Sequence, residues 1–445
     1  MTNIEELEAR LDSFSLDQRR GALEELCEKV KRGEIELPQA GTDVNLHCHT
    51  FFSYNSYGYS PTRFAWMARR RGLAVAGAVD FDVLDGLDEF LEASRRIGLK
   101  GCGGMETRVY VPEFGTRVIN SPGEPGISYH MGMGFPNANL KPELKKFQAG
   151  LKKTAQQRNI ELMERVNRFL SPVELDYTTD VLPLTPSGNA TERHICLAYA
   201  RKAKKVFGDN AKMAEYWGQK LEVNVSALGL PEGREFLNAL RNKTMKRGGV
   251  GYIQPDKGAF PTMRDLDRFS LAAGAMPTMT WLDGTSEGEQ SLEELIDVAI
   301  DSGVVAFNVI PDRNYKQGLG ESDAKFKNLK FALELADSRG LPIVCGTEMN
   351  SPGQKFVDDF GTRELSEFVP LFLKGAYIVY AHSAMQRHCG LGYTSDWAKK
   401  NFASVEDRNE FFRRIGEFLE PGKEDSLAGF DEGSKASQIL AKTKP

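Results

Sequence analysis

The chain of 445 residues (49.5 kDa) is 41% hydrophobic and 27% charged, with a mean hydropathy of -0.40. That is the profile of an ordinary globular protein, and no apolar run approaches the roughly 18 residues needed to span a bilayer. A formal net charge of -5 and a pI near 5.9 exclude a general electrostatic attraction to nucleic acid, though not a local basic groove. Cys27, Cys48, Cys102, Cys196, Cys345 and Cys389 show no C-x-x-C spacing, which excludes a zinc ribbon or a disulfide framework and leaves buried reduced thiols. The acidic, helical start MTNIEELEARLDSF is not a secretory signal, so the expected location is the cytoplasm.

Spaced apolar residues at Leu7, Leu11, Leu23, Leu26 and Val30 predict one or two amphipathic helices, an N-terminal extension over residues 1 to 40. From Val44 onward, apolar runs alternate with helical segments closed by glycine, the pattern of a parallel-stranded α/β fold. The predicted strands are Val44 to His47, Ala74 to Val79, the stretch into Met105-Glu106, Ile127 to Phe135, Val250 to Ile253, Met276 to Trp281, Val304 to Val309, Pro342 to Cys345 and Ala376 to Tyr380. Predicted helices at Pro61 to Arg71, Leu87 to Ile97, Leu292 to Asp301, Ala324 to Ser338 and Glu364 to Leu373 separate most of them. Roughly seven to nine strands in this order predict a closed or distorted β/α barrel over residues 41 to 393, with a doubly wound open sheet as the alternative. Long charged helices and a proline-rich link at about 141 to 242 read as a helical insertion. Residues 394 to 445 read as a C-terminal helix followed by a mobile tail.

A barrel gathers the residues at the carboxyl ends of its strands at one mouth. Those residues here are His47, His49, Asp80, Asp82, Glu106, His130, Asp283, Asp312, Glu348 and His382. Two of the chain's 6 histidines sit at i and i+2 in Asp43-Val-Asn-Leu-His-Cys-His-Thr50, so a strand there points both imidazoles the same way. Imidazoles and carboxylates repeatedly buried at strand ends cost desolvation energy unless a cation or hydrogen bonds compensate.

In its motifs the chain resembles the PHP domains, the polymerase and histidinol phosphatase superfamily. The matching stretches are His47-Cys-His49-Thr, Ser60-Pro61, Val79-Asp80-Phe81-Asp82 with Asp85-Gly86-Leu87, Gly103-Gly-Met-Glu106-Thr and Tyr129-His130-Met-Gly-Met-Gly-Phe135. Glu192-Arg193-His194-Ile195 is similar to the R-P-H-I-A stretch of the phosphoesterase-like branch, and Gly248-Gly-Val-Gly-Tyr252 and Leu271-Ala-Ala-Gly274 follow in order. The resemblance covers roughly residues 43 to 360. It implies a distorted seven-stranded barrel, up to three metal ions at the strand ends and a metal-bound hydroxide that attacks a phosphoester.

Several positions depart from that pattern. Phe81 stands where the family's T-D-H-D has an imidazole, Tyr54-Asn55-Ser56 offers at best an amide, and Thr280-Trp281-Leu282 replaces A-H-P. Gly346-Thr-Glu348-Met-Asn350 replaces the closing G-S-D-x-H, so Glu stands for Asp and Asn for His. By resemblance, His47, His49, Glu106 and Glu348 surround one ion. His130, with Glu106 as a bridge, would serve a second if His194, His382 or Asp283 joined it, and the third position is expected to be empty. One divalent ion is expected and a second allowed, with Zn, Mn or Fe(II) suiting mixed imidazole and carboxylate donors. Asp80 or Asp82 would orient a ligand or the attacking water, and Arg193, Arg313 or Arg108 would clamp a phosphate.

Each residue also has a plainer reading. His130 fits a satisfied core histidine, His194 a packing residue on a helix, and His382 a cap or core residue. His388 reads as structural or exposed, and Asp283-Gly284 is a common turn signal. Arg69-Arg70-Arg71 reads as a solvated helix face. The function expected is therefore a metal-dependent hydrolase of a small phosphoester. The alternatives are a hydrolase of a non-phosphate substrate, a non-catalytic metal-binding or scaffold module and, least favoured, a proofreading-type nuclease. The partner is a small, phosphorylated substrate, with no membrane; the oligomeric state is left open.

Overall fold

The structure, a computed structural model, describes residues 3 to 444 apart from the side chains of Ser226 and Lys257. One mixed sheet runs in sequence order: β1 (Val44–Cys48), β2 (Val75–Phe81), β3 (Lys100–Tyr110), β4 (Ile127–Met133), β5 (Met276–Thr280), β6 (Ala306–Val309) and β7 (Ile343–Cys345). Neighbours are parallel except at β4, which runs antiparallel to both β3 and β5. A parallel bridge between Cys48 and Glu348, just past β7, brings the last strand back to the first, so the sheet curls into a nearly closed α/β barrel. Gly346 permits that closure, because a Cβ there would stand 2.4 Å from both Asn45 Oδ1 and the backbone nitrogen of His47.

Two predicted strands are absent, each for a physical reason. Val250 and Ile253 lie on a turn-rich exposed stretch with no neighbour to pair with. Ala376 to Tyr380 falls inside the helix Val369–Cys389, which packs so closely on β7 that a Cβ on Gly375 would stand 1.9 Å from the carbonyl oxygen of Ile343. This helix buries most of its girth, so its apolar run lacks helical periodicity and reads like a buried strand.

Between β4 and β5 lie the helices Pro142–Leu170, Glu192–Phe207, Asn210–Leu221 and Arg234–Thr244. They bury a cluster of their own around Val166, Tyr199, Trp217, Phe236 and Leu240, separate from the barrel's core. After residue 394 the expected C-terminal helix forms at Val405–Phe418, and the end expected to be mobile carries the helix Ala436–Thr443; Trp397, Phe412, Ile415, Leu427 and Ile439 join the barrel's core. Among the described residues no helix is long and apolar enough to cross a membrane.

Candidate metal centre

His47 on β1 and His49, just past its end, project into the barrel. Two strands away, Glu106 on β3 points to the same interior. His47 Nε2 lies 3.3 Å from His49 Nε2, and Glu106 Oε2 lies 3.4 and 3.1 Å from them respectively. Bonds of about 2.0–2.1 Å in a tetrahedral site require donor atoms about 3.3–3.4 Å apart, so the three atoms fit the edges of one coordination shell. All three residues are closed to solvent, with exposures of 0%, 0% and 2%. Glu106 Oε2 completes no hydrogen bond of good geometry, which is the condition expected of an atom meant for a cation. Burial opposes ionisation of Glu106, but the two histidines outweigh it and hold the carboxyl at about 2.

The backbone fixes the two histidines in place. Glu348 N–H donates to His47 O at 2.7 Å, and His49 N–H donates to Glu348 O at 2.8 Å. Beneath them the side chain of Asn45 staples β1 to the β7 loop, donating to Thr347 Oγ1 and Phe356 O. Around the cluster the backbone is strained. Of five non-glycine residues with left-handed φ among those described, Tyr54, Asp82, Glu348 and Met349 surround this end of the barrel.

Asp80 acts on His49 through a hydroxyl. Ser53 Oγ donates to Asp80 Oδ1 at 2.6 Å and lies 3.0 Å from His49 Nδ1. Because the serine proton is committed to the carboxylate, the serine oxygen accepts from Nδ1–H, and Nε2 faces the cluster as a bare lone pair. Asp80 is anchored in turn by the backbone N–H and the hydroxyl of Thr50. Asn55 is no ligand: its amide donates to His49 O and accepts from the N–H groups of Tyr57 and Tyr59.

The remaining predicted site residues lie elsewhere. His130 faces away from the cluster. In the β3–β4 register Met131 opposes Glu106 while His130 opposes Thr107, so the imidazole projects outward and meets Asp267 at 2.7 Å. Its expected place at the mouth required the opposite register, since a slip of one residue moves a side chain to the other face. The Glu348 carboxylate accepts from Gln354 Nε2 and lies 3.7 Å from Arg313. Its backbone, rather than its side chain, serves the cluster. His194 Nδ1 accepts the Thr191 N–H in a capping box, and burial pushes its pKa down to about 3.

Both nitrogens of His382 are spent, on Gly274 O and the Tyr393 N–H, and Asp283 pairs with Lys325. His388 lies near Asp425 on the outside. Among the described residues no second group of three such side chains converges. Phe81, in register with Glu106, stands with its ring 4.3 Å from that of His49.

Asp82 lines a cleft of about 520 Å³ with Thr107, Lys146, Arg158 and Phe260, beside the barrel mouth and under the helix Pro142–Leu170. Arg108 and Arg158 both hold their guanidinium groups over the ring of Phe260. Arg108 also pairs with Glu124, while Arg241 and Lys246 pair with Glu192. Arg193 donates to Asn238 and, across the mouth, to Ser351. Sequence reasoning missed Ser53, Asp267, Arg158, Arg241 and Lys246. None of them stands in a motif, and only the packing brings each to its partner.

No protein-family model and no curated protein matches the chain. Among solved structures it is similar to an amidohydrolase from Chromobacterium violaceum, solved with bound sulfate and no metal, at 17% identity over 73% of this chain and 96% of that one, with a TM-score of 0.47. It is also similar to a candidate metal-dependent phosphoesterase from Bifidobacterium adolescentis, at 19% identity over 76% and 98%, again with a TM-score of 0.47. At that score neither likeness bears on what the site does.

Proposed function

We propose that the protein is a metal-dependent hydrolase of a small phosphoester, with one divalent ion held by His47, His49 and Glu106. The observation that carries this reading is the convergence of three buried donor atoms within 3.1–3.4 Å of one another. Two imidazoles and one carboxylate suit Zn, Mn or Fe(II), and three protein ligands leave a position open, as catalytic zinc sites do. The ion supplies Lewis acidity and makes water a nucleophile near neutral pH. Asp80, through Ser53, keeps His49 Nε2 unprotonated. Lys146 and Arg158 line the cleft together with Asp82 and Glu143, and Arg108 shares the Phe260 ring with Arg158; these cations are the groups with which an anionic substrate would pair.

The complete burial of the cluster favours a second reading, a barrel that binds metal without turnover. Elemental analysis of protein purified without chelator, with assays on phosphomonoesters in Mn or Zn, separates the two. One equivalent of metal is expected, with turnover that falls by about 10³-fold or more in His49→Ala, the scale of several kcal/mol of lost stabilisation. Turnover that survives in the variant rejects the hydrolase reading, and metal without turnover supports the second.

A further inference from the structure

The two imidazoles of the cluster are held unequally. His49 leans on Ser53 and Asp80, whereas His47 Nδ1 is buried without any hydrogen-bond partner. A ligating imidazole ordinarily has its second nitrogen protonated and held, because that contact selects the tautomer and orients the ring. Two strands from β1 across the β7 closure, Asn308 on β6 is fully buried, and neither its Oδ1 nor its Nδ2 has a partner. Thr280 on β5 is its register neighbour, and Thr280 Oγ1 is unpartnered as well. Parallel neighbours in register project to the same side, so the two side chains lie next to one another. Asn308 also stands beside the His47 ring. Its amide comes within hydrogen-bonding reach of the His47 side chain.

Leaving these groups unpaired is expensive, at about 1–3 kcal/mol for each buried donor or acceptor. The arrangement nevertheless has one complete solution. Nδ1–H can donate only to the amide oxygen, which leaves the amide NH2 to face the threonine oxygen, donor to acceptor. We infer that Asn308 is the positioning residue of His47, taking Nδ1–H on its Oδ1 while donating from Nδ2 to Thr280 Oγ1. Four orphaned atoms then become two hydrogen bonds, and His47 gains the counterpart of the Ser53–Asp80 support under His49. This inference rests on reading the cluster as a metal centre.

The test uses the full chain and zinc alone as the probe, with affinity measured by competition against a chromophoric chelator. Asn308→Leu keeps the volume and removes the amide. Zinc affinity is expected to fall about 10–100-fold, the usual cost of losing such a support, while the metal-free melting temperature holds or rises because an unsatisfied buried amide has gone. Asn308→Asp, which keeps an acceptor, should recover most of the affinity. An affinity within about twofold of wild type, or a loss matched by a lower metal-free melting temperature, overturns the assignment.

If Asn308→Leu does not fold, wild type decides. Nitrogen-resolved NMR of the zinc form should find the His47 Nδ1 proton protected from solvent exchange and scalar-coupled across a hydrogen bond to the Asn308 side-chain carbonyl, and an Nδ1 proton with no such coupling overturns the assignment. Wild type that binds no zinc overturns the metal centre and this inference with it, whereas unchanged affinity in the variant overturns this inference alone.

Discussion

The β3–β4 ladder faces a buried imidazole–carboxylate contact on each side. On the inner side His47 and His49 meet Glu106; on the outer side His130 meets Asp267, whose other oxygen accepts from Ser302. Both are shut off from solvent, and by residue type they look alike. They differ in what is left over. The outer pair is complete, with each oxygen of Asp267 occupied. The inner cluster points three donor atoms at one place and leaves Glu106 Oε2 and His47 Nδ1 unpartnered. A buried histidine beside a carboxylate is therefore no sign of a site by itself; the sign is donor capacity that the protein does not use on itself.

Breaking the outer pair gives the largest effect. Asp267→Ala leaves His130 buried without its partner and should cost about 3–5 kcal/mol in urea unfolding, with bound metal unchanged. Metal loss in that variant would collapse the distinction between the two faces.

A third buried carboxylate, Glu289, sharpens the comparison because it has no ion-pair partner among the described residues. It accepts the backbone N–H groups of Leu282, Asp283 and Gly284, yet burial pushes its carboxyl up to about 7. Its folded pKa lies above the unfolded value near 4.5, so the folded state binds the proton more tightly. That contribution is fully present below pH 4.5 and is lost as pH rises through 7. It amounts to at most about 3 kcal/mol. Asp358, also pushed up to about 7, acts in the same direction, so the difference between wild type and Glu289→Gln isolates Glu289. Unfolding at pH 5 and pH 8 should show a steeper loss in wild type; equal slopes would remove the effect assigned to Glu289.

The smallest effect probes the support of the inner cluster. Asp80→Asn keeps the shape but weakens the acceptor under Ser53, and metal affinity should fall about 10–100-fold by chelator competition. Wild-type affinity in that variant would mean that His49 needs no such support.

Much of the barrel could be read from residue order. The alternation of His47 and His49 put both rings on one face, and the helices at Pro61, Leu87, Leu292 and Ala324 stand where their periodicity placed them. Glu106 was found through its motif, and its convergence with the histidines agrees with that placement. His130 and Glu348 were misplaced for different reasons. A strand's register is set by its partners, and it places His130 opposite Thr107 instead of Glu106, facing outward; a side chain with an alternative partner can leave a cluster, as Glu348 does for Gln354. Ser53 and Asn308 carried no signal, because a hydroxyl or an amide acquires its role only from what is packed beside it.

The sequence by itself therefore determined the elements, their order and the chemistry each strand end could offer, since these follow from local periodicity and side-chain type. Only the tertiary structure decided which of those groups meet. Strand direction, register and competition among buried hydrogen bonds are set by contacts between segments far apart in the chain.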